Sequence, residues 1–309
     1  MNSEKPIVFP SNTLVRPPTK QLARANVLGV GVHATDLTQA VDLLEGAIVE
    51  RRKGYVCVTG VHGVMEAYRH KEFRSVLDRA LLVTPDGSPL VWVGRAQGYT
   101  QMRRVFGPDL MLEVCRRSVQ QKYTHFLYGG KPGVADKLQD TLTREFPGIS
   151  VVGTFTPPFR PLLPDEQAKL EDTVAKLAPD IIWVGLSTPK QEQFMAQNID
   201  RLATTLMIGV GAAFDIHTGN LKDAPEWVKK AGLQWMHRLC QEPSRLWKRY
   251  LVNNSAFLLH IGLQLSGLRQ YELRRSKMSR KYNLYRLDYE HDLGSRHRRN
   301  THKGKVKES

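Results

Sequence analysis

PDIIWVGLSTPKQEQF, residues 179–194, decides how this chain is read. Its first half is a short apolar run without polar alternation, the pattern of a strand buried on both faces. The run stops at Gly185, and Ser-Thr-Pro leads at once into Lys190, Gln191 and Glu192. A strand-to-helix turn calls for glycine, proline or a short polar residue, not for consecutive long polar side chains. Ligands of open parallel sheets bind outside the carboxyl ends of the strands. The cluster therefore reads as one wall of a site, with Lys190 and Glu192 either part of it or paired with each other to position the helix.

The same grammar recurs outward from this stretch. ANVLGVGV (25–32), YVCVTG (55–60), LLVTPDG (81–87), THFLYGG (124–130), SVVGTFTP (150–157) and TTLMIGVG (204–211) are further apolar runs read as strands. Helical patterns lie between them: one opening at Thr35 or Asp36, VMEAYRHKEFRSVLDRA, and DEQAKLEDTVAKLA. Strands alternating with helices predict an α/β fold, a mostly parallel sheet with helices on both faces. Past Gly219 the pattern changes to APEWVKKAGLQWMHRLCQEPSRLWKRYLVNNSAFLL, helical and broken only at Pro243, with Trp227, Trp235 and Trp247 read as packing residues. The expected organisation is a flexible arm (1–25), a catalytic α/β domain (26–219), a helical basic appendage (220–268) and a basic, partly disordered tail (269–309).

The chain of 309 residues carries a formal net charge of +15, with a pI near 9.8. From Asn220 to Ser309 there are 20 Lys+Arg against 8 Asp+Glu, so most of the excess lies in the last third. An anionic partner is expected: nucleic acid, nucleotide-sugar, phospholipid headgroup or diphosphate lipid. Cys57, Cys115 and Cys240 form no CxxC pair, which fits a reduced, cytosolic compartment rather than a disulfide framework or a zinc site. No secretory signal is read at the start. Leu251–Leu268 has no formal charge but is too polar to span a bilayer; it could lie against one.

Candidate site residues follow the apolar runs: Thr59 and His62, Asp86, Gly129-Gly130-Lys131, Lys190-Gln191-Glu192, and Gly211 to Asp215. Asp86, between Pro85 and Gly87 among apolar residues, is either a general base with a raised pKa or the N-cap of the next helix. GGKPGV (129–134) is either a phosphate-binding loop or a glycine turn. GVGVHA (29–34) matches G-x-G-x-x-A, with no acidic residue ending a second strand to complete a dinucleotide fingerprint. Arg238, Arg245 and Lys248 fall on one helix side, as a solvated stripe or as a diphosphate clamp.

Taken together, PDIIWVGLSTPKQEQF, TPDGSPLVW with RVFGPDLM, and MIGVGAAFDIHTGNLKDAPEWVKKAGLQWMHRLCQEPSRLWKRYLV resemble the WecG/TagA/CpsF family of bacterial glycosyltransferases (glycosyltransferase family 26). The resemblance covers roughly Asn26 to Leu259. It implies a Rossmann-like domain with a C-terminal appendage, and inverting, metal-independent transfer. The sugar would pass from a UDP-sugar to a polyprenyl-diphosphate-linked acceptor in cell-surface or exopolysaccharide synthesis. By that resemblance Asp86 is the base. Thr59, Arg104 and Gln191 line the pocket, and Arg238, Arg245 and Lys248 close over the diphosphate. Val61 stands where the family commonly has asparagine, so the donor is N-acetylmannosamine, its uronic acid, or another hexose such as glucose. No cofactor or metal is expected. The resemblance admits a homo-oligomer, and the basic appendage suits an anionic membrane surface, placing the enzyme peripherally on the inner face of the plasma membrane. Two rivals are a nicotinamide-dependent oxidoreductase, resting on GVGVHA, and a nucleic-acid-binding protein, resting on charge. Neither accounts for Pro-Lys-Gln-Glu and the Trp-rich appendage together.

Overall fold

A computed structural model describes residues 22–273, apart from the side chains of residues 226, 230, 245 and 249. The expectations for the arm before residue 22 and the tail beyond 273 fall outside the described residues. The chain opens with β1 (Arg24–Val27) and β2 (Val30–His33), then α1 (Leu37–Val49), β3 (Gly54–Thr59), α2 (Val61–Arg69), α3 (Lys71–Arg79) and β4 (Leu82–Pro85). Next come α4 (Ser88–Ala96), α5 (Gly107–Gln121), β5 (Thr124–Gly129), α6 (Val134–Glu145), β6 (Ser150–Phe155) and α7 (Pro164–Leu177). They are followed by β7 (Ile181–Gly185), α8 (Lys190–Asn198), β8 (Leu206–Gly209) and α9 (Ala213–His217). Three further helices complete the described chain: α10 (Glu226–Lys230), α11 (Gln234–Gln241) and α12 (Pro243–Leu265).

Six strands form one parallel sheet in the order β4-β3-β8-β7-β5-β6. The period of two sends alternate residues to opposite cores. Tyr55, Cys57, Phe126, Tyr128, Ile182 and Val184 face one core, with α2, α3, α7 and α8. Val56, Val58, Leu127, Ile181, Trp183 and Ile208 face the other, with α1, α5 and α6. Both faces are covered, which is why the strands read as unbroken apolar runs. Asp36 caps α1 by accepting from the Gln39 amide at 2.9 Å, as the sequence expectation has it.

Two elements differ from the sequence reading. ANVLGVGV is not one strand of the main sheet but the antiparallel hairpin β1–β2. Leu28 and Gly29 turn it with φ of 53° and 83°, two successive left-handed residues, the requirement of a tight hairpin turn. The Asn26 side chain fixes the turn by accepting from the Gly29 amide at 2.8 Å. GVGVHA is therefore a hairpin rather than a phosphate loop, and the oxidoreductase reading loses its motif. The second difference is the run 64–80, which breaks at His70 (φ −121°, ψ 107°). Its buried sets, Val64, Met65 and Ala67 then Phe73, Val76 and Leu77, are out of phase by half a turn, so a straight helix would expose one of them.

The appendage is three helices, broken at Pro243 and also around Gly232. α12 buries Leu246, Asn253, Phe257 and Ile261. Asn253 accepts from Arg69 at 2.7 Å and lies 3.0 Å from His62 Nδ1, both on α2. Gln264 bonds the hairpin, accepting from Leu28 N at 2.8 Å and donating to Asn26 O at 2.7 Å. The opposite face of α12 exposes Trp247, Leu251, Leu258 and Leu259. Trp227 and Trp247 are largely exposed and Trp235 partly so, a correction to their reading as packing residues; among the described residues Trp235 has an aromatic neighbour, Tyr250 at 5.9 Å. Among the described residues no helix is long and apolar enough to cross a membrane.

Candidate active site

Topology sets where a ligand can enter. The chain leaves β3 and β7 toward the helix layer of α2, α3 and α8, but leaves β8 and β5 toward the layer of α6 and α9. Neighbouring strands whose connections part to opposite faces leave a crevice at their carboxyl ends. The borders β3/β8, β8/β7 and β7/β5 are such crevices, and the residues singled out from sequence gather around them.

Asp86 follows the last residue of β4, its amide bonded to Thr59 O at 2.9 Å. The N-cap of α4 is Gly87, without a side-chain cap bond, so Asp86 does not serve as the cap. Its carboxylate accepts the Gly107 amide at the start of α5. Oδ1 is shut off from solvent and has no hydrogen-bond partner among the described residues. Burial is the largest influence and pushes the Asp86 pKa up to about 7; Arg104, Arg238 and the Gly107 N–H pull it down, and Asp109 pushes it up. A carboxyl in that range both takes and holds a proton near neutrality.

The cations arrive from two directions. Arg104 lies over the Phe106 ring at 4.6 Å, 3.7 Å from the Asp109 carboxylate, and donates to the side-chain oxygen of Gln234 on α11. Arg238, one turn along α11, pairs with Glu242 at 3.1 Å while its charge acts on Asp86. Lys248 is exposed on α12, and the Arg245 side chain lies outside the described residues. The structure thus brings Arg104 and Arg238 to Asp86.

The β7–α8 turn forms the second wall. Thr59, 2% exposed, ends β3, its hydroxyl 3.3 Å from Cys57 O. Gln191 and Glu192 are buried, whereas Lys190 is exposed. Glu192 Oε1 accepts from Thr188 at 2.9 Å and from Gln191 Nε2 at 3.0 Å, and Gln191 Oε1 accepts the Gly211 amide at 3.1 Å. The Gln191 amide lies over Gly209, where a Cβ would come within 3.1 Å of it. Gly129 and Gly130 end β5 with φ of 133° and 77°. A Cβ on Gly129 would meet Gly185 O at 2.6 Å, and the Gly130 amide already donates to Gly185 O at 3.1 Å. Asp215 sits on α9, accepting from Asn220 at 3.4 Å. Among the described residues no group of three or more His, Cys, Asp or Glu side chains is placed to hold a metal ion.

Gln234 is the site-edge residue that sequence reading passed over. The available signal was its spacing, four residues before Arg238 on the same helix face.

Comparison with known proteins identifies the family. A family model described as the Glycosyl transferase WecG/TagA/CpsF family matches residues 25–271. A protein of Bacillus spizizenii named N-acetylglucosaminyldiphosphoundecaprenol N-acetyl-beta-D-mannosaminyltransferase is 30% identical over 218 residues, 70% of this chain and 82% of its own. A Bacillus subtilis protein of the same name is 28% identical over 218 residues, 70% of this chain and 83% of its own. The chain belongs to the WecG/TagA/CpsF family and is a glycosyltransferase.

Proposed function

We propose that the enzyme transfers a sugar, with inversion and without a metal ion, from a UDP-sugar to a polyprenyl-diphosphate-linked acceptor in cell-surface polymer synthesis. The observation that carries this reading is the Asp86 carboxyl, raised to about 7 by burial and flanked by Arg104 and Arg238. The ionised carboxylate takes the proton of the acceptor hydroxyl as its oxygen attacks the anomeric carbon. The bond from that carbon to the UDP oxygen breaks on the opposite face, and the electron pair leaves with UDP. Charge grows on the diphosphate, so cations fixed beside it lower the barrier. Arg104, Arg238, Lys248 and Arg245 take that role here, and Gln191, Thr59 and the loops at Gly129, Gly130, Gly211 and Asp215 hold the donor. The names of the Bacillus relatives support a lipid-diphosphate acceptor and N-acetylmannosamine as one donor sugar. Its uronic acid and other hexoses stay in the donor panel, because Val61, at the start of α2 beside Thr59, packs against the core and has no hydrogen-bonding side chain.

The exposed Trp247, Leu251, Leu258 and Leu259 on α12, with the basic residues around them, support peripheral docking on the anionic inner leaflet that carries such an acceptor. Co-sedimentation with vesicles containing anionic lipid tests this: Leu258→Glu with Leu259→Glu should release the protein, and a wild type that stays in the supernatant at low salt sinks it. The reaction is tested by UDP release with a panel of UDP-sugars and a short-chain polyprenyl-diphosphate-sugar. Acceptor-dependent release with one donor, lost in Asp86→Asn while UDP still binds, is the expected outcome. Absence of both release and UDP binding overturns the reading.

A further inference from the structure

We propose that Gln234 is a positioning residue that aims the Arg104 guanidinium into the donor site, so that the appendage completes the pocket rather than only covering it. This deepens the proposed function and rests on it. The argument starts with how α11 is placed. Gly232, with φ of 73°, lies against the first turn of α4: a Cβ there would come within 3.1 Å of Ser88 Oγ and 3.4 Å of the Trp92 ring. That approach brings the start of α11, with Gln234 as its first residue, up to the first turn of α4.

The polarity of the contact then runs one way. Lys229 holds the Asp223 carboxylate at 2.7 Å, and the Ala224 amide bonds its other oxygen at 2.7 Å. Asp223 in turn faces the Gln234 Nε2 at 3.5 Å. A carboxylate only accepts, so the Gln234 amide presents its N–H₂ to Asp223 and its oxygen to Arg104. Arg104 only donates, and gives Nη1 to that oxygen. The guanidinium is thereby bounded on three sides: Phe106 beneath it, Asp109 at 3.7 Å, and Gln234 from the appendage. Asp109 is itself 45% exposed on its side chain, whereas Gln234 reaches the arginine from the appendage. Without Gln234 the guanidinium loses its restraint from the appendage, and the cation is held less firmly beside Asp86.

The test is a double-mutant cycle in the UDP-release assay, with UDP affinity measured in parallel by calorimetry. Gln234→Ala should raise the donor KM and the UDP Kd about tenfold, the worth of a hydrogen bond to a charged group. It should also move the acid limb of kcat/KM upward, because a displaced Arg104 no longer favours the ionised Asp86. Gln234→Glu keeps an acceptor for Arg104 but sets a carboxylate against Asp223, so it should recover only part of the loss in both constants. Gln234→Met, near in shape and without an acceptor, repeats the alanine result should alanine unfold the appendage. In an Arg104→Ala background, Gln234→Ala should add less than about twofold, because coupled residues are not additive. Wild-type constants in Gln234→Ala and Gln234→Met, or a full additive effect on Arg104→Ala, overturn the proposal. Should wild type bind UDP but show no turnover, the function reading fails and the Kd cycle alone decides on Gln234. No UDP binding at all removes both.

Discussion

Asp86 and Glu192 are carboxylates at the same edge of one sheet, and their surroundings differ in origin. Glu192 is 1% exposed and is served from its own turn, its Oε1 receiving Thr188 and Gln191. Asp86 receives one backbone amide, has an oxygen without a partner among the described residues, and meets its cations only through tertiary structure. Arg104 comes from the loop before α5 and Arg238 from α11. A carboxylate with donors from its own chain segment is positioned by local structure. One left short of donors, with cations supplied from afar, is balanced between two states, and that balance is what proton transfer needs.

The sharpest way to break the comparison is to exchange each carboxylate for a neutral group. Asp86→Asn should lower kcat by about 10²–10⁴, the usual worth of a general base, with UDP affinity kept. The sign of its effect on stability is opposite to its effect on rate. The folded pKa of about 7 lies above the unfolded 3.8, so the folded state holds the extra proton and loses stability as pH rises through that window. Asp86→Asn should therefore raise the Tm at pH 8 by more than at pH 5, as thermal unfolding followed by circular dichroism would record. An unchanged Tm at both values would mean that burial does not dominate at Asp86.

Glu192→Ala should do the reverse. Removing its carboxylate orphans the Thr188 hydroxyl and the Gln191 amide in a buried site and leaves a cavity, for a loss of about 3–5 kcal/mol in urea unfolding. A stable, fully folded Glu192→Ala with only kinetic damage would place Glu192 with Asp86 rather than against it.

These contrasts were only partly legible in sequence. Strands buried on both faces carry a signal in every residue, which is why β3 to β8 stand out as apolar runs. The hairpin did not, because Leu28 takes one of its two left-handed positions and leaves glycine at the other alone. The break at His70 has no proline or glycine to announce it; only the phase of the buried residues on either side does. At the site, the pinned environment of Asp86 was readable from Pro85, Gly87 and the apolar residues beyond. The contact of Arg104 with Gln234 spans 130 residues of sequence. No local pattern encodes such a pair, since each partner is an ordinary polar residue until the appendage folds back.

A buried titratable group away from the edge gives the control. His125 on β5 is fully buried, its Nδ1 accepting from Nε1 of Trp183 on β7 at 3.0 Å, so the ring is neutral. Burial lowers its pKa to about 4. The folded value lies below the unfolded 6.5, so its contribution is complete above pH 6.5 and is lost as pH falls toward 4. Burial also lowers the His33 pKa to about 4, so the His125 part is read by urea unfolding in the Asp86→Asn background as the difference between His125 and His125→Gln, about 2–3 kcal/mol across that window.

The smallest expected effect tests the comparison most closely, because it leaves Asp86 in place and changes only what reaches it from afar. Arg238 is part of the appendage, pairs with Glu242 at 3.1 Å, and pulls the Asp86 pKa down. Arg238→Gln removes the charge but keeps a side chain of similar reach. With one favouring cation gone, the protonated form of Asp86 gains, and the acid limb of kcat/KM should move up by about half a pH unit, the scale of one partly screened charge. The high-pH plateau should fall separately, by about tenfold, through lost support for the departing diphosphate. The two changes have different origins and need not scale together. A limb that stays put while the plateau falls would mean that Arg238 serves the leaving group alone. Arg104 and burial would then set the proton balance of Asp86 without the charge of Arg238.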